Sequence, residues 1–151
     1  MAKHLKIAVG ADHGGFQLKE KLKQYLACSG YDVQDFGAYT AEPSDYPLFG
    51  YEVAKAVAGK RADYGIVICK TGFGMAIMAN KLKNIRSAVC DTVSEAGSAR
   101  SHNACNVLSL AANRVNFRKA KNIVDIFLKT KPDGGRHLRR VKQISKLENK
   151  K

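Results

Sequence analysis

The sequence predicts an α/β protein with five parallel strands in one sheet and helices on both faces. Three observations carry this expectation. Short apolar, β-branched runs recur along the chain, and each is followed by a helical pattern. Runs such as Gly65–Ile68 are apolar throughout, as strands covered on both faces must be. The 151 residues are the size of a single domain and suffice to bury a core, so residues 1–151 are expected to fold as one unit.

The elements follow in order. Leu5–Ala11 is the first strand, and Phe16–Cys28 is an amphipathic helix closed by Ser29-Gly30. Tyr31–Phe36 is a weaker strand; a loop with Pro43 and Pro47 leads into a helix over about 48–58. Asp63–Cys69 is the third strand, with Met75–Leu82 in the helix behind it. Arg86–Cys90 and a helix over about 93–102 come next, then a strand over Asn106–Leu110 and a helix over about 118–129. After Pro132-Asp-Gly-Gly135 a last helix runs to about Leu147. Strict strand–helix alternation gives a three-layer αβα, Rossmann-like, doubly wound fold with an expected strand order of 2-1-3-4-5.

Composition narrows the function classes. There is no long apolar span, no secretory pattern and no repeat, so a soluble cytoplasmic protein with no membrane association is expected. The cysteines at 28, 69, 90 and 105 form no CxxC pair and no Cys/His metal spacing, which favours reduced thiols over disulfides or zinc. The formal net charge of +13 points to anionic partners, either nucleic acid or a phosphorylated small molecule. Eight of the 26 Lys/Arg lie in residues 131–151, giving a basic C-terminal helix. No RNA- or DNA-binding motif accompanies that charge, and much of it is expected to be solvated surface.

The segment with most chemistry is Cys69-Lys70-Thr71-Gly72-Phe73-Gly74, where an apolar strand ends in a thiol and a glycine turn opens a helix. The first N–H groups of a helix have no intrahelical partner and sit at its positive end. Such a turn binds phosphate, or the oxyanion that develops when a proton leaves the carbon beside a carbonyl. The same field favours the thiolate form of a cysteine held beside it. Taken alone, the segment is equally compatible with a buried structural cysteine and a tight turn. Topology adds partners. In the expected order strands one and three are neighbours, and ligands bind beyond their carboxyl ends. That places Gly10-Ala-Asp12-His13-Gly14-Gly15 beside the cysteine loop.

Several separated motifs, in order along nearly the whole chain, resemble the ribose-5-phosphate isomerase B family, within the group that includes allose- and galactose-6-phosphate isomerases. Its carriers are Gly10–Phe16, Asp45-Tyr46-Pro47, Cys69–Gly74 with Ala79-Asn80-Lys81, His102-Asn103, Asn106-Val-Leu108, and Gly134-Gly135-Arg136-His137 with Arg140. The resemblance implies a metal-independent aldose–ketose isomerase without a cofactor, acting on a sugar phosphate. It also implies dimers, or tetramers of paired dimers, whose active sites are shared between subunits, with the helix over about 136–147 at the subunit interface. Cys69 would shuttle the proton between C1 and C2, and Thr71 would assist it. Backbone N–H groups across Lys70, Thr71, Gly72, Phe73 and Gly74 would hold the enediolate oxygen. His102 would open the sugar ring, with Asp12 orienting it or the substrate, and Asn103 would bond hydroxyls. His13, Arg136 and Arg140 would take the phosphate; Arg139 and Lys142 are assigned to the solvated face.

Two positions depart from the family's pattern. Lys70 stands where glycine is usual, which keeps the backbone donor and is expected to send a side chain to solvent. Arg114 follows Asn113, one position later than an arginine of many relatives, and receives no role. The expected activity is interconversion of ribose 5-phosphate and ribulose 5-phosphate. An allose or other hexose phosphate is the alternative substrate. A non-catalytic sugar-phosphate sensor, a basic nucleic-acid binder or a nucleotide-binding domain are alternatives of another class. Gly10, Gly14 and Gly15 do not match the dinucleotide spacing GxGxxG, although Asp35 follows at a suitable distance.

Overall fold

The structure is a computed structural model and describes residues 4–150. The strands are β1 (Lys6–Ala11), β2 (Asp32–Asp35), β3 (Tyr64–Cys69), β4 (Ser87–Val89) and β5 (Val107–Ala111). The helices are α1 (Phe16–Cys28), α2 (Tyr46–Ala58), α3 (Phe73–Ala79), α4 (Val93–Asn103), α5 (Phe117–Lys129) and α6 (Gly135–Glu148). All strand pairs are parallel, so the expected αβα class holds. The limits of α1 fall where the periodicity put them, while α2 begins earlier because Pro47 is accommodated in its first turn.

The order of the sheet is β2-β1-β3-β5-β4, so the two last strands are exchanged relative to 2-1-3-4-5. Burial explains the exchange. All five residues of β5 are buried, as an interior strand requires, whereas β4 has three half-buried residues and closes the edge. The pairing of β1 with β3 is as expected, with Ala11 opposite Ile68 at their carboxyl ends.

Alternation along the strands divides the core in two. Ile7, Val9, Ile66, Ile68, Leu108 and Leu110 meet Leu22, Leu26, Ile123 and Phe127 of α1 and α5. On the other face Ala8, Val67 and Cys69 meet Val53 and Val57 of α2 and Met75 and Ala79 of α3. The parity of β3 therefore turns Cys69 toward α3, the helix that starts three residues after its own strand ends. Among the described residues α6 buries no side chain, and its Leu138, Ile144 and Leu147 are exposed.

Among the described residues Asp12, Lys19 and Arg100 are buried charged groups, and Lys19 has no exposure. Lys19 of α1 is fully enclosed, and its Nζ donates to Asp35 Oδ1 at 2.8 Å, to Oδ2 at 3.0 Å and to the Ala38 carbonyl. This ties α1 to the end of β2 and to the loop that leads toward α2. Burial pushes the Asp35 carboxyl up, but hydrogen bonds from Lys19, Lys23 and the Gly37 N–H outweigh it and hold the group below its ordinary value. A carboxyl depressed in the folded state stabilises the fold above its unfolded pKa, and that stability disappears as the pH falls through the folded value. Replacing Asp35 by Ala leaves the buried Lys19 ammonium with the partly exposed Glu20 carboxylate, at 3.3 Å, as its remaining counter-charge, so urea unfolding at pH 7 is expected to show a loss of about 3 kcal/mol. The same variant is expected to lose part of the parent's fall in stability below about pH 4, measured by repeating the titration at acid pH.

Candidate active site

At the carboxyl edge of β1 and β3 lies a cleft of about 270 Å³ lined by Asp12, His13, Tyr46, Cys69, Lys70, Thr71 and Gly74. The Cys69 thiol is 5 % exposed, and its Sγ accepts the Gly72 N–H at 3.1 Å. That donor exists because Gly72 is the N-cap of α3 with φ at +76°, a left-handed conformation that glycine adopts without Cβ strain. The Gly72 carbonyl is fixed in turn by the hydroxyl of Ser109, a buried polar residue on β5, at 2.6 Å. The β5 continuation is laced to the same loop, with the N–H groups of Ala112 and Asn113 donating to the carbonyls of Cys69 and Lys70. Thr71 is exposed, its Oγ1 near the Phe73 N–H at 3.4 Å.

The other thiols differ in kind. Burial pushes Cys90 up to about 12, with smaller contributions from Cys105, Glu95 and Asp91. Burial also raises Cys105, and Cys28 lies exposed at the end of α1. Cys69 is the thiol with a cleft in front of it and a backbone donor on its sulfur.

The first loop presents its pair beside that thiol. Asp12 is 7 % exposed, and its Oδ1 accepts the Gly15 N–H at 3.1 Å, which leaves Oδ2 for a ligand in the cleft. His13 is braced by Ser44, whose N–H donates to Nδ1 at 3.1 Å and whose hydroxyl accepts the His13 N–H at 3.1 Å. The Ser44 carbonyl also lies 3.2 Å from Nδ1, so Ser44 fixes the ring in either tautomer and leaves Nε2 toward the cleft. The ring of Tyr46 closes the cleft over Gly74, where an added Cβ would stand 2.5 Å from the ring. Lys70 is exposed, yet its stem folds over Gly14, with Cγ 2.6 Å from where a Cβ would stand there. Its side chain therefore borders the cleft rather than leaving it.

The remaining expected residues gather elsewhere. His102 and Asn103 end α4, where the Asn103 and Ala104 carbonyls accept from Arg86 at the amino end of β4. Cys69 lies at the opposite end of the sheet, about 13 Å along the strand direction from the residues level with that turn. Within one chain, then, Asp12 does not reach His102. Arg136 and Arg140 are exposed on α6, whose first turn is held near His102 by the Asp133 N–H donating to the Ser101 carbonyl at 2.8 Å. His137 stacks on His102 with ring centroids 4.3 Å apart and planes 6° from parallel. Desolvation, the facing His102 and the Arg136 guanidinium all push His137 down. His102, Asp133 and His137 offer ligand atoms within 4.8 Å of one another, but stacked rings direct their in-plane lone pairs along parallel lines rather than onto one ion.

Sequence reasoning assigned no role to Tyr46, Ser44, Ser109 or His137. The signals were present in the Asp-Tyr-Pro stretch at 45–47, in a serine inside the apolar run 107–111, and in a histidine beside Arg136. The arrangement supplies a thiol, an N–H-lined turn and a carboxylate at one end of the sheet. At the other it supplies a histidine and two arginines.

Comparison with known proteins finds relatives along nearly the whole chain. A family model described as Ribose/Galactose Isomerase matches residues 7–144. Ribose-5-phosphate isomerase B of Escherichia coli is 43% identical over 146 residues, which cover 97% of this chain and 98% of that protein. Galactose-6-phosphate isomerase subunit LacB of Clostridium acetobutylicum is 36% identical over 125 residues, covering 83% and 72%. The solved structure of Clostridium thermocellum ribose-5-phosphate isomerase B superposes with a TM-score of 0.95 at 46% identity, covering 97% of this chain and 99% of that one. The Mycoplasma genitalium ribose-5-phosphate isomerase B structure with bound ribulose-5-phosphate gives a TM-score of 0.95 at 35% identity, covering 99% and 100%. The chain belongs to the ribose/galactose isomerase family.

Proposed function

We propose that the protein interconverts ribose 5-phosphate and ribulose 5-phosphate, with Cys69 as the base. The observation that carries this reading is the Gly72 N–H on the Cys69 sulfur at the floor of the cleft. A hydrogen bond to the charged form stabilises a thiolate, and the thiolate is the form that can accept a carbon-bound proton. In the open-chain aldose, Cys69 removes the proton from C2 while the carbonyl oxygen at C1 becomes the enediolate oxygen. With the Gly72 N–H on the sulfur, the other N–H groups across residues 70–74 receive that developing charge, since donors already in place need no reorganisation. The Thr71 hydroxyl lies on the rim where a proton must pass between the two oxygens. Return of the proton from Cys69 to C1 gives the ketose. Asp12 holds a sugar hydroxyl through Oδ2, and His13 binds the phosphate through Nε2.

His102, Asn103, Arg136 and Arg140 complete the reaction from a second copy of the chain. A two-fold dimer that sets the α4–α6 end of one protomer against the cleft of the other produces two equivalent sites. The exposed apolar residues support this reading: Phe73 and Ile77 flank the cleft on α3, and Leu138, Ile144 and Leu147 lie along α6. In that arrangement His102 exchanges the proton that opens the sugar ring. Arg136 and Arg140, one helical turn apart, grip the phosphate as planar bidentate donors. Hexose phosphates are the second reading, favoured by the likeness to LacB and by the open rim between Tyr46 and Lys70. The Lys70 ammonium at that rim is placed to bond a substrate oxygen near C1.

Rates on a panel of pentose and hexose phosphates test the substrate. The highest kcat/KM is expected for ribose 5-phosphate, and a hexose phosphate turned over faster would replace this assignment. Cys69→Ala is expected to lower kcat by about 10²–10⁴-fold with the fold intact by circular dichroism. Shared sites have their own signature. Cys69→Ala and His102→Ala protomers, each inactive alone, are expected to recover about a quarter of the parent's activity after unfolding and refolding as a mixture, because half of the sites in each mixed dimer are intact. No recovery in a mixture shown by mass spectrometry to contain mixed dimers would place both residues in one protomer's site.

A further inference from the structure

Arg114, which the sequence left without a role, is bound on three sides. Its Nε pairs with Asp91 at the start of the α4 segment, its Nη2 donates to the Thr71 carbonyl at 2.9 Å, and its guanidinium lies 5.0 Å from the centre of the Phe73 ring. Asp91 is itself anchored, because its N–H donates to Glu95 Oε2 within the capping box of α4. The guanidinium therefore bridges a fixed helix terminus and the cysteine loop.

The Thr71 carbonyl and the Gly72 N–H belong to the same planar peptide unit and point in opposite directions. Arg114 holds one end of that unit, and the Cys69 sulfur receives the other at 3.1 Å. Without an anchor this unit is free to turn over, since glycine at 72 tolerates either sign of φ. The next peptide is held separately by Ser109 on the Gly72 carbonyl and does not restrain the first. A cation on the carbonyl also polarises the peptide and strengthens its N–H as a donor.

We propose that Arg114 is a positioning residue for Cys69, acting through the Thr71–Gly72 peptide to keep its N–H on the sulfur. The role replaces a phosphate contact, because the guanidinium's charge is neutralised by Asp91 and its edge is spent on Thr71. The inference rests on Cys69 being the base, and its test is read on the thiol as well as on turnover. In the full chain, the R114M variant is compared with the parent for alkylation of Cys69 by iodoacetamide. Peptide mass spectrometry follows that site so that the exposed Cys28 does not count. Loss of a hydrogen bond to the charged sulfur is expected to slow alkylation at pH 7 about 10-fold, with equal rates at about pH 10, where thiols ionise unaided. On ribose 5-phosphate, kcat is expected to fall by a similar factor while KM stays within about twofold.

Alkylation at the parent's rate at pH 7 overturns the proposal, as does a raised KM with unchanged kcat, which is the mark of a phosphate contact. R114K keeps the cation but cannot span Asp91 and Thr71 together, so it is expected to fall between the two, and it carries the test if R114M does not fold. Slowed alkylation in a protein that isomerises no sugar phosphate would uphold the positioning and overturn the isomerase reading.

Discussion

The hydrogen bond from the Gly72 N–H to the Cys69 sulfur is the contact on which the rest of the site depends, and three strands cooperate to make it. β3 delivers the thiol to the carboxyl edge and, by its parity, turns it toward α3. β5 lies next to β3 and supplies Ser109 and the N–H groups of residues 112 and 113, which pin the loop from behind. β1 lies on the other side and sets Asp12 and His13 along the same cleft. A buried cysteine would ordinarily remain a neutral thiol, as Cys90 does, because burial penalises the thiolate. Cys69 differs from Cys90 in its geometry, with a backbone N–H directed at its sulfur and a cleft in front of it.

This dependence also explains why the chain keeps a polar residue in the middle of its most buried strand. Ser109 has no exposure, and its hydroxyl is satisfied by donating to the Gly72 carbonyl. A buried hydroxyl without a partner would cost stability, so fold and loop conformation are coupled through one atom. The Lys19–Asp35 pair does the same at the opposite edge. It closes the turn after β2, from which the chain passes through Ser44 and Tyr46, the residues that brace His13 and roof the cleft.

Much of this was legible in the sequence, for physical reasons that differ by element. Periodicity located α1 to the residue and the thiol at the end of a buried strand, because burial patterns repeat with the geometry of the element. The lateral order of the last two strands was misjudged, since no periodicity encodes which neighbour a parallel strand takes; the short, half-buried β4 was the available cue to an edge. Lys70 was expected to point to solvent, and its stem instead follows the space left by Gly14. The link from Arg114 to Thr71 joins residues 43 apart and leaves no local trace. His102 and the arginines were identified by motif, yet a single chain holds them away from the thiol, because α4 runs back from the carboxyl edge of the sheet and ends beyond its amino edge.

The central claim is that Cys69 moves a proton between two carbons through an enediolate. Incubating ribulose 5-phosphate with the protein in deuterium oxide, and following C1 by proton NMR, tests it most directly. A thiol that exchanges its proton with solvent between removal and return carries deuterium into C1, and the account predicts that this label appears with the parent and is lost in Cys69→Ala. Label appearing at the parent's rate in Cys69→Ala would contradict it.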